Sequence, residues 1–172
     1  MSINMHAYKA IEAVVGSNYI TDDPVDCEGY RSGPGGYESG TGYERVMTKI
    51  AGAVVMPRTT EDVQKIVKIC RRYKLPFVPY STGFYGPRSH PHVEHELIID
   101  MKRMRDFSID PKHFSIPVQP GVIYSQIQQI CFENGAYVVI GGGGAQTSAV
   151  ANLLNDGWSP LSFRVGLPQR RI

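Results

Sequence analysis

The 172-residue sequence is short of several things that would place it quickly. It has no excess charge of either sign: 18 Lys and Arg stand against 16 Asp and Glu, a net of +2. No electrostatic footprint for nucleic acid is present, and Arg71-Arg72 and Arg170-Arg171 are expected to be solvated surface. It has only three cysteines, Cys27, Cys70 and Cys131, with no C-x-x-C pair. That argues against a disulfide framework and against a zinc or iron–sulfur centre made by this chain alone. It suits a reducing, cytoplasmic compartment. No apolar run approaches the roughly 18 residues of a membrane span. The opening Met1–Gly16 stretch lacks the basic start and solid apolar segment of a signal peptide.

What is there is ordinary globular material, 42% hydrophobic and 20% charged. It is enough for one domain built of two subdomains, burying about two thirds of its unfolded surface. Residues 6–15 predict a short helix with Ile11, Val14 and Val15 inward, stopped by Gly16. Residues 28–43 hold six glycines and predict a loop anchored only by its tyrosines. Ala53–Met56 predicts a strand closed by Pro57. Thr59 to Asp62 then supplies hydroxyls and acids for a helix start. Val63, Ile66, Val67 and Cys70 give that helix an apolar stripe. Phe77-Val78 and Leu97–Ile99 predict two more strands, so the order is that of a βαβ unit with a right-handed crossover. A second α/β stretch follows. Short strands are expected at 107–109 and 115–118, with Pro117 marking an edge or irregular one. A helix is expected over 124–134 with Ile123, Ile127, Ile130 and Cys131 on one face, then a strand at 137–140 and a last helix at about 148–155.

Two loops after strands carry the chemistry. The first is Pro79-Tyr80-Ser81-Thr82-Gly83-Phe84-Tyr85-Gly86; the second is Gly141–Gly144, followed by Thr147-Ser148-Ala149-Val150-Ala151-Asn152. Glycines let backbone N–H groups turn toward a ligand, and adjacent hydroxyls complete a nest for a phosphate or pyrophosphate. A helix starting near Ser148 would add the positive end of its dipole. Neither loop is G-x-x-x-x-G-K-S/T, and neither is G-x-G-x-x-G between a strand and a helix. Each loop alone is also compatible with a plain Gly-rich turn.

Six pieces in order carry a resemblance. Val14-Val15-Gly16 with Asp22-Asp23-Pro24 opens it. Ala53-Val54-Val55-Met56-Pro57-Arg58-Thr59-Thr60-Glu61-Asp62-Val63 follows, then Leu75-Pro76-Phe77-Val78-Pro79-Tyr80-Ser81-Thr82-Gly83. Leu97–Met104, Gln119-Pro120-Gly121-Val122, and Ala151-Asn152 with Gly157 complete it. From about Ala10 onward the chain resembles the N-terminal part of the FAD-binding domain of the vanillyl-alcohol oxidase and p-cresol methylhydroxylase family. The resemblance implies an α/β (α+β) fold of two small subdomains flanking an FAD cleft, incomplete at its C-terminal end. The expected divisions are 1–46 as helix and Gly/Tyr-rich loop, 47–106 as first subdomain and 107–172 as partial second subdomain.

The resemblance implies that the first loop wraps the FAD pyrophosphate through Pro79, Ser81, Thr82, Gly83, Phe84, Tyr85 and Gly86. It implies that Gly143, Gly144, Thr147, Ser148, Asn152 and Gly157 flank the flavin and diphosphate. No His lies in Tyr80–Gly86, so covalent attachment of flavin through this loop is not expected. Catalytic residues are left unassigned. The implied function is the FAD-binding portion of a flavin-dependent oxidoreductase, taking hydride from a substrate C–H, with a phenolic or other aromatic alcohol as substrate class. A second protein chain, or further copies of this one, is the expected partner; nucleic acid and membrane are not. The rival reading is a non-catalytic subunit or remnant that serves assembly without FAD, and a different phosphate-bearing ligand is a third. Tyr80, Tyr85 and Trp158 are each open to ring stacking or to plain packing, with packing expected. Asp100 is expected to cap the turn at Met101–Met104. His90, His92 and His95 are expected to be incidental in an exposed loop, with no metal site.

Overall fold

A computed structural model describes residues 2–31, 49–83, 90–140, 144–154 and 161–166. The chain forms two compact units, Met1–Arg103 and Met104–Ile172.

The first unit is a four-stranded sheet with two helices against one face and a short one against the other. Helix α1 (Met5–Val15) starts at Asn4, whose side-chain carbonyl accepts from the His6 and Ala7 N–H groups at 2.9 and 3.3 Å. It buries Ala7 and Ile11, one turn apart, and ends at Gly16. A single 3-10 turn (Ser17–Tyr19) leads into β1 (Ile20–Thr21). The Asp22-Asp23-Pro24 stretch starts a short helix, α2 (Pro24–Glu28). Asp23 caps the Val25 N–H at 2.8 Å, and the proline fits the first helical position, where no N–H is needed.

Strand β2 (Ala53–Val55), helix α3 (Thr60–Tyr73), β3 (Phe77–Tyr80) and β4 (Leu97–Asp100) follow. The strand order is β1-β2-β4-β3, with β1 antiparallel to β2 and both β2 and β3 parallel to β4. The expected βαβ pair is therefore not adjacent, because β4 sits between β2 and β3. The chemistry of the strands explains the order. Leu97–Asp100 is buried throughout and suits the centre, whereas Pro79 lacks an N–H and belongs on an edge.

Alternation divides the sheet's residues between two cores. Ala53, Val55, Leu97 and Ile99 pack with Ile11 of α1 and Ile66 and Cys70 of α3. Val54, Ile98 and Tyr80 face the other way, with Cys27 and the half-buried Tyr30 and Val78. Helix α3 is turned slightly from its expected stripe. Ile66 and Cys70 are buried and Ile69 and Tyr73 pack beside them, while Val67 is exposed. Its start is a reciprocal cap: Asp62 N–H donates to Thr59 Oγ1, and Thr59 N–H donates to Asp62 Oδ2, both at 3.1 Å.

The second unit holds α4 (Tyr124–Glu133), α5 (Ala149–Leu154) and the single turn α6 (Ser162–Val165). Its core is Val122, Tyr124, Ile127, Cys131 and Ala149, flanked by Phe107, Ile109, Ile116, Val118, Val138 and Ile140. The strands expected at 107–109 and 115–118 reduce to two antiparallel bridges, Phe107↔Val118 and Asp110↔Ser115. Residues 137–140 form no strand among the described residues, although Val138 and Ile140 still pack on the core. Alternating hydrophobicity reports a half-buried extended segment; a strand also needs a partner. No helix among the described residues is long and apolar enough to cross a membrane.

Loss of the reciprocal cap gives a direct check on this reading. Thr59→Ala is expected to lower unfolding stability by about 1 kcal/mol, measured by urea titration. A change indistinguishable from zero would show that the cap contributes nothing.

Candidate functional site

The first loop leaves the edge strand β3. Pro79 is exposed and opposite Ile99 in register, and Tyr80 is buried opposite Asp100. Ser81 and Thr82 are half-buried, and Gly83 is buried with φ +63°. A Cβ at Gly83 would collide with the Tyr80 hydroxyl and Cζ. Glycine is therefore required twice over, by the left-handed backbone and by the ring stacked against it. Phe84, Tyr85 and Gly86 lie outside the described residues.

Behind this loop is a polar cluster on the second face of the sheet. Asp100 is fully buried. Its carboxylate accepts from the Tyr30 hydroxyl at 2.6 Å and the Lys102 N–H at 2.9 Å, and pairs with the Lys102 ammonium at 3.0 Å. The expected capping role of Asp100 is thus present, and it is one part of a larger one. The Tyr30 and Tyr80 rings meet edge-on at 4.9 Å, and the Lys102 ammonium lies 5.2 and 5.3 Å from their centroids. Tyr80 is packed rather than left open for stacking. Burial, then the nearby Asp100 carboxylate, pushes its hydroxyl up to about 12. Burial and the bond to Asp100 push the Tyr30 hydroxyl well above the ordinary tyrosine range.

His90 belongs to the same cluster. The expectation of an exposed, incidental histidine fails for it, because it is buried. Its Nδ1 lies 2.7 Å from the Tyr30 carbonyl, and its ring packs on Tyr80 at 6.1 Å. His92 and His95 are exposed. Among the described residues no group of three His, Cys, Asp or Glu is placed to hold a metal ion.

The second loop is built differently. Gly144 is exposed with φ +82°. Thr147 Oγ1 donates to the Gly144 carbonyl at 2.8 Å. Ser148 Oγ donates to the Pro120 carbonyl at 2.6 Å and accepts from the Ala151 N–H at 3.2 Å, so it caps α5. Both hydroxyls close the turn. Asn152 is buried, and its Oδ1 accepts from the Tyr124 hydroxyl at 3.2 Å. Gly143, Gly157 and Trp158 lie outside the described residues, as does Tyr85.

The structure therefore gathers Pro79, Ser81, Thr82 and Gly83 in the first unit. It gathers Gly144, Thr147, Ser148 and Asn152 in the second. Sequence reasoning missed Tyr30, Lys102, Tyr124 and Gln128. Tyr124 and Gln128 carried a signal, being polar groups one helical turn apart among the buried Ile127 and Cys131. Tyr30 and Lys102 carried none, since their meeting depends on contacts 70 residues apart.

An α/β chain with a glycine-turned loop at a strand end can hold a phosphate-bearing cofactor. Comparison with known proteins narrows this. A family model described as an FAD binding domain matches residues 51–172. The 4-cresol dehydrogenase [hydroxylating] flavoprotein subunit of Pseudomonas putida is 32% identical over 108 residues, covering 57% of this chain and 20% of that protein. The mitochondrial D-lactate dehydrogenase [cytochrome] of Arabidopsis thaliana is 32% identical over 91 residues, 51% of this chain and 16% of that protein. The crystal structure of p-cresol methylhydroxylase with substrate bound superposes with a TM-score of 0.70 at 25% identity, over 89% of this chain and 29% of that one. The chain belongs to the FAD binding domain family. Its cofactor is FAD. It spans a fifth or less of the curated relatives named here.

The residues present fit that cofactor. Pro79–Gly83 contains no acidic side chain to repel a diphosphate. In the second unit Gln128 is 8% exposed, with neither its amide nitrogen nor its oxygen hydrogen-bonded. A buried amide left so is costly unless a bound molecule answers it.

Two outcomes follow from the geometry. Gly83→Ala and Gly144→Ala both place a side chain at positive φ, but a Cβ at Gly144 meets nothing within 4 Å. Gly144→Ala is expected to cost about 1 kcal/mol and Gly83→Ala clearly more; equal losses in urea unfolding would contradict the Tyr80 contact. The second concerns His90, whose proton affinity burial lowers, against the opposing bond to the Tyr30 carbonyl. An unfolded histidine takes up its proton near pH ~6.5. Below that the unfolded state binds more protons than the folded one, so stability falls with pH until the folded value is reached. His90→Gln is expected to flatten this decline in urea midpoints; an unchanged slope would assign the dependence elsewhere.

Proposed function

We propose that this chain is the FAD-binding portion of an oxidoreductase that removes hydride from a substrate C–H, with a para-substituted phenol or other aromatic alcohol as the substrate class. The observation that carries the reading is the FAD binding domain match across residues 51–172, which spans both candidate loops. The phenolic substrate class is supported by the names of the 4-cresol dehydrogenase and p-cresol methylhydroxylase relatives.

FAD supplies a hydride acceptor when bound. The chain's part is to hold and orient it. Ser81 and Thr82 offer small side chains and Gly83 close backbone approach for the pyrophosphate, with Pro79 near the end of the strand before them. Phe84, Tyr85 and Gly86 continue that loop in sequence. Gly143, Gly144, Thr147, Ser148, Asn152 and Gly157 form the second contact. Because the Thr147 and Ser148 hydroxyls are engaged in the turn, their contribution is to fix the backbone that meets the ligand. Gln128 joins this group as an amide able both to donate and to accept.

The partner we propose is a second protein chain, or further copies of this one. Support comes from the Pseudomonas putida relative, which is named as a flavoprotein subunit. The three free, buried cysteines support a cytoplasmic setting.

The test is titration of the purified protein with FAD, followed by flavin absorbance and fluorescence after gel filtration. Retained flavin, lost or weakened in Gly83→Ala at a temperature where that variant is folded, is the expected result. A colourless protein that ignores added FAD would sink the reading and leave the assembly-subunit alternative.

A further inference from the structure

The buried Asp100 carboxylate raises an electrostatic problem for the loop beside it. Tyr80 links the two: it lies opposite Asp100 in the strand register, and its hydroxyl abuts Gly83. A diphosphate bound at Ser81–Gly83 would therefore lie near a fixed negative charge that is itself shut off from water. The Lys102 ammonium is the group that answers this charge. It pairs with Asp100 Oδ2 at 3.0 Å, and its side chain is 37% exposed while that of Asp100 is fully buried. It also lies over both the Tyr30 and Tyr80 rings, within about the 6 Å at which a cation is attracted to a ring face. Three contacts thus hold one cation against a buried anion and over the Tyr80 ring, whose hydroxyl abuts Gly83.

We propose that Lys102 is a positioning charge for the diphosphate-binding loop. It cancels the field of Asp100, so that Ser81–Gly83 can accept an anion. This rests on the reading of that loop as the diphosphate contact. Lys102 has a rotatable, partly exposed ammonium and acts as a point charge, so arginine should replace it and methionine should not.

The experiment measures the affinity of the full chain for FAD, and separately for inorganic pyrophosphate, across a range of salt. Wild type, Lys102→Met, Lys102→Arg and Asp100→Asn are compared. Lys102→Met is expected to weaken both ligands by about tenfold or more at low salt, and because the Asp100 carboxylate left behind is buried, added salt should narrow that gap only in part. Lys102→Arg should restore most of the affinity. Asp100→Asn, where it folds, should bind at least as tightly as wild type, which a merely structural loss would not do. Lys102→Met binding within about twofold of wild type, with the same salt dependence, would overturn the proposal. So would arginine failing to rescue. The two readings fail separately. A wild-type protein that binds pyrophosphate through Lys102 but ignores FAD overturns the cofactor reading alone. One that binds FAD equally well with and without Lys102 overturns this inference alone.

Discussion

A carboxylate cannot be buried without partners, and much of the first unit is arranged around that constraint. Asp100 ends the central strand with no exposed surface. Stripped of partners, such a charge would cost several kcal/mol. The chain supplies three from two places: the Tyr30 hydroxyl, the Lys102 N–H and the Lys102 ammonium. The first of these fixes the end of α2 against the sheet. Tyr30 then carries the constraint outward, through its ring to Tyr80 and through its carbonyl to His90. Tyr80 passes it to Gly83, where the ring leaves no room for a side chain.

The position of Asp100 follows from strand periodicity. In β4, Leu97 and Ile99 face α1 and α3, while Ile98 and Asp100 face the other way. One face of the sheet is thus purely apolar. The other begins apolar at Ile98 and turns polar at Asp100, at the strand's C-terminal end. Parallel strands direct their C-terminal ends to one edge, and β3 ends there too, at Tyr80. That is why the polar cluster and the Ser81–Gly83 loop share one edge. Ligands of open α/β sheets gather at the same place.

The elements with strong local signals were legible in the sequence. Thr59 and Asp62 announced the start of α3, and the unbroken apolar run at Leu97–Ile99 announced a buried strand. The motif order from Ala53 to Asn152 announced the FAD-binding family. What was not legible depended on pairing. Val138 and Ile140 alternate as a strand does, yet residues 137–140 form none. The βαβ order was visible, but the insertion of β4 between its strands is a long-range choice. It was settled by which segment could be buried on both faces. The site divides in the same way. Ser81–Gly83 and Thr147–Ser148 could be picked out as loops of small residues. The Tyr30–Asp100–Lys102 cluster could not, because its members have no shared spacing and ordinary identities. Asp23-Pro24 is a helix-start signal, and it opens α2.

The two loops are stabilised by opposite means, and this bears on what each can contribute. The second is tied by its own side chains: Thr147 closes onto Gly144, and Ser148 onto Pro120 and Ala151. Its hydroxyls are spent on shape. The first is held from outside, by Tyr80 and the residues behind it, so Ser81 and Thr82 need supply no structural bond of their own. Where a stretch of backbone is fixed in this way before a ligand binds, little of the binding energy is consumed in ordering it. Pre-ordering also fixes the distance between the loop and the charges behind it. An anion at the loop would meet the sum of Asp100 and Lys102 rather than either alone, and the sign of that sum is set by where one lysine side chain rests.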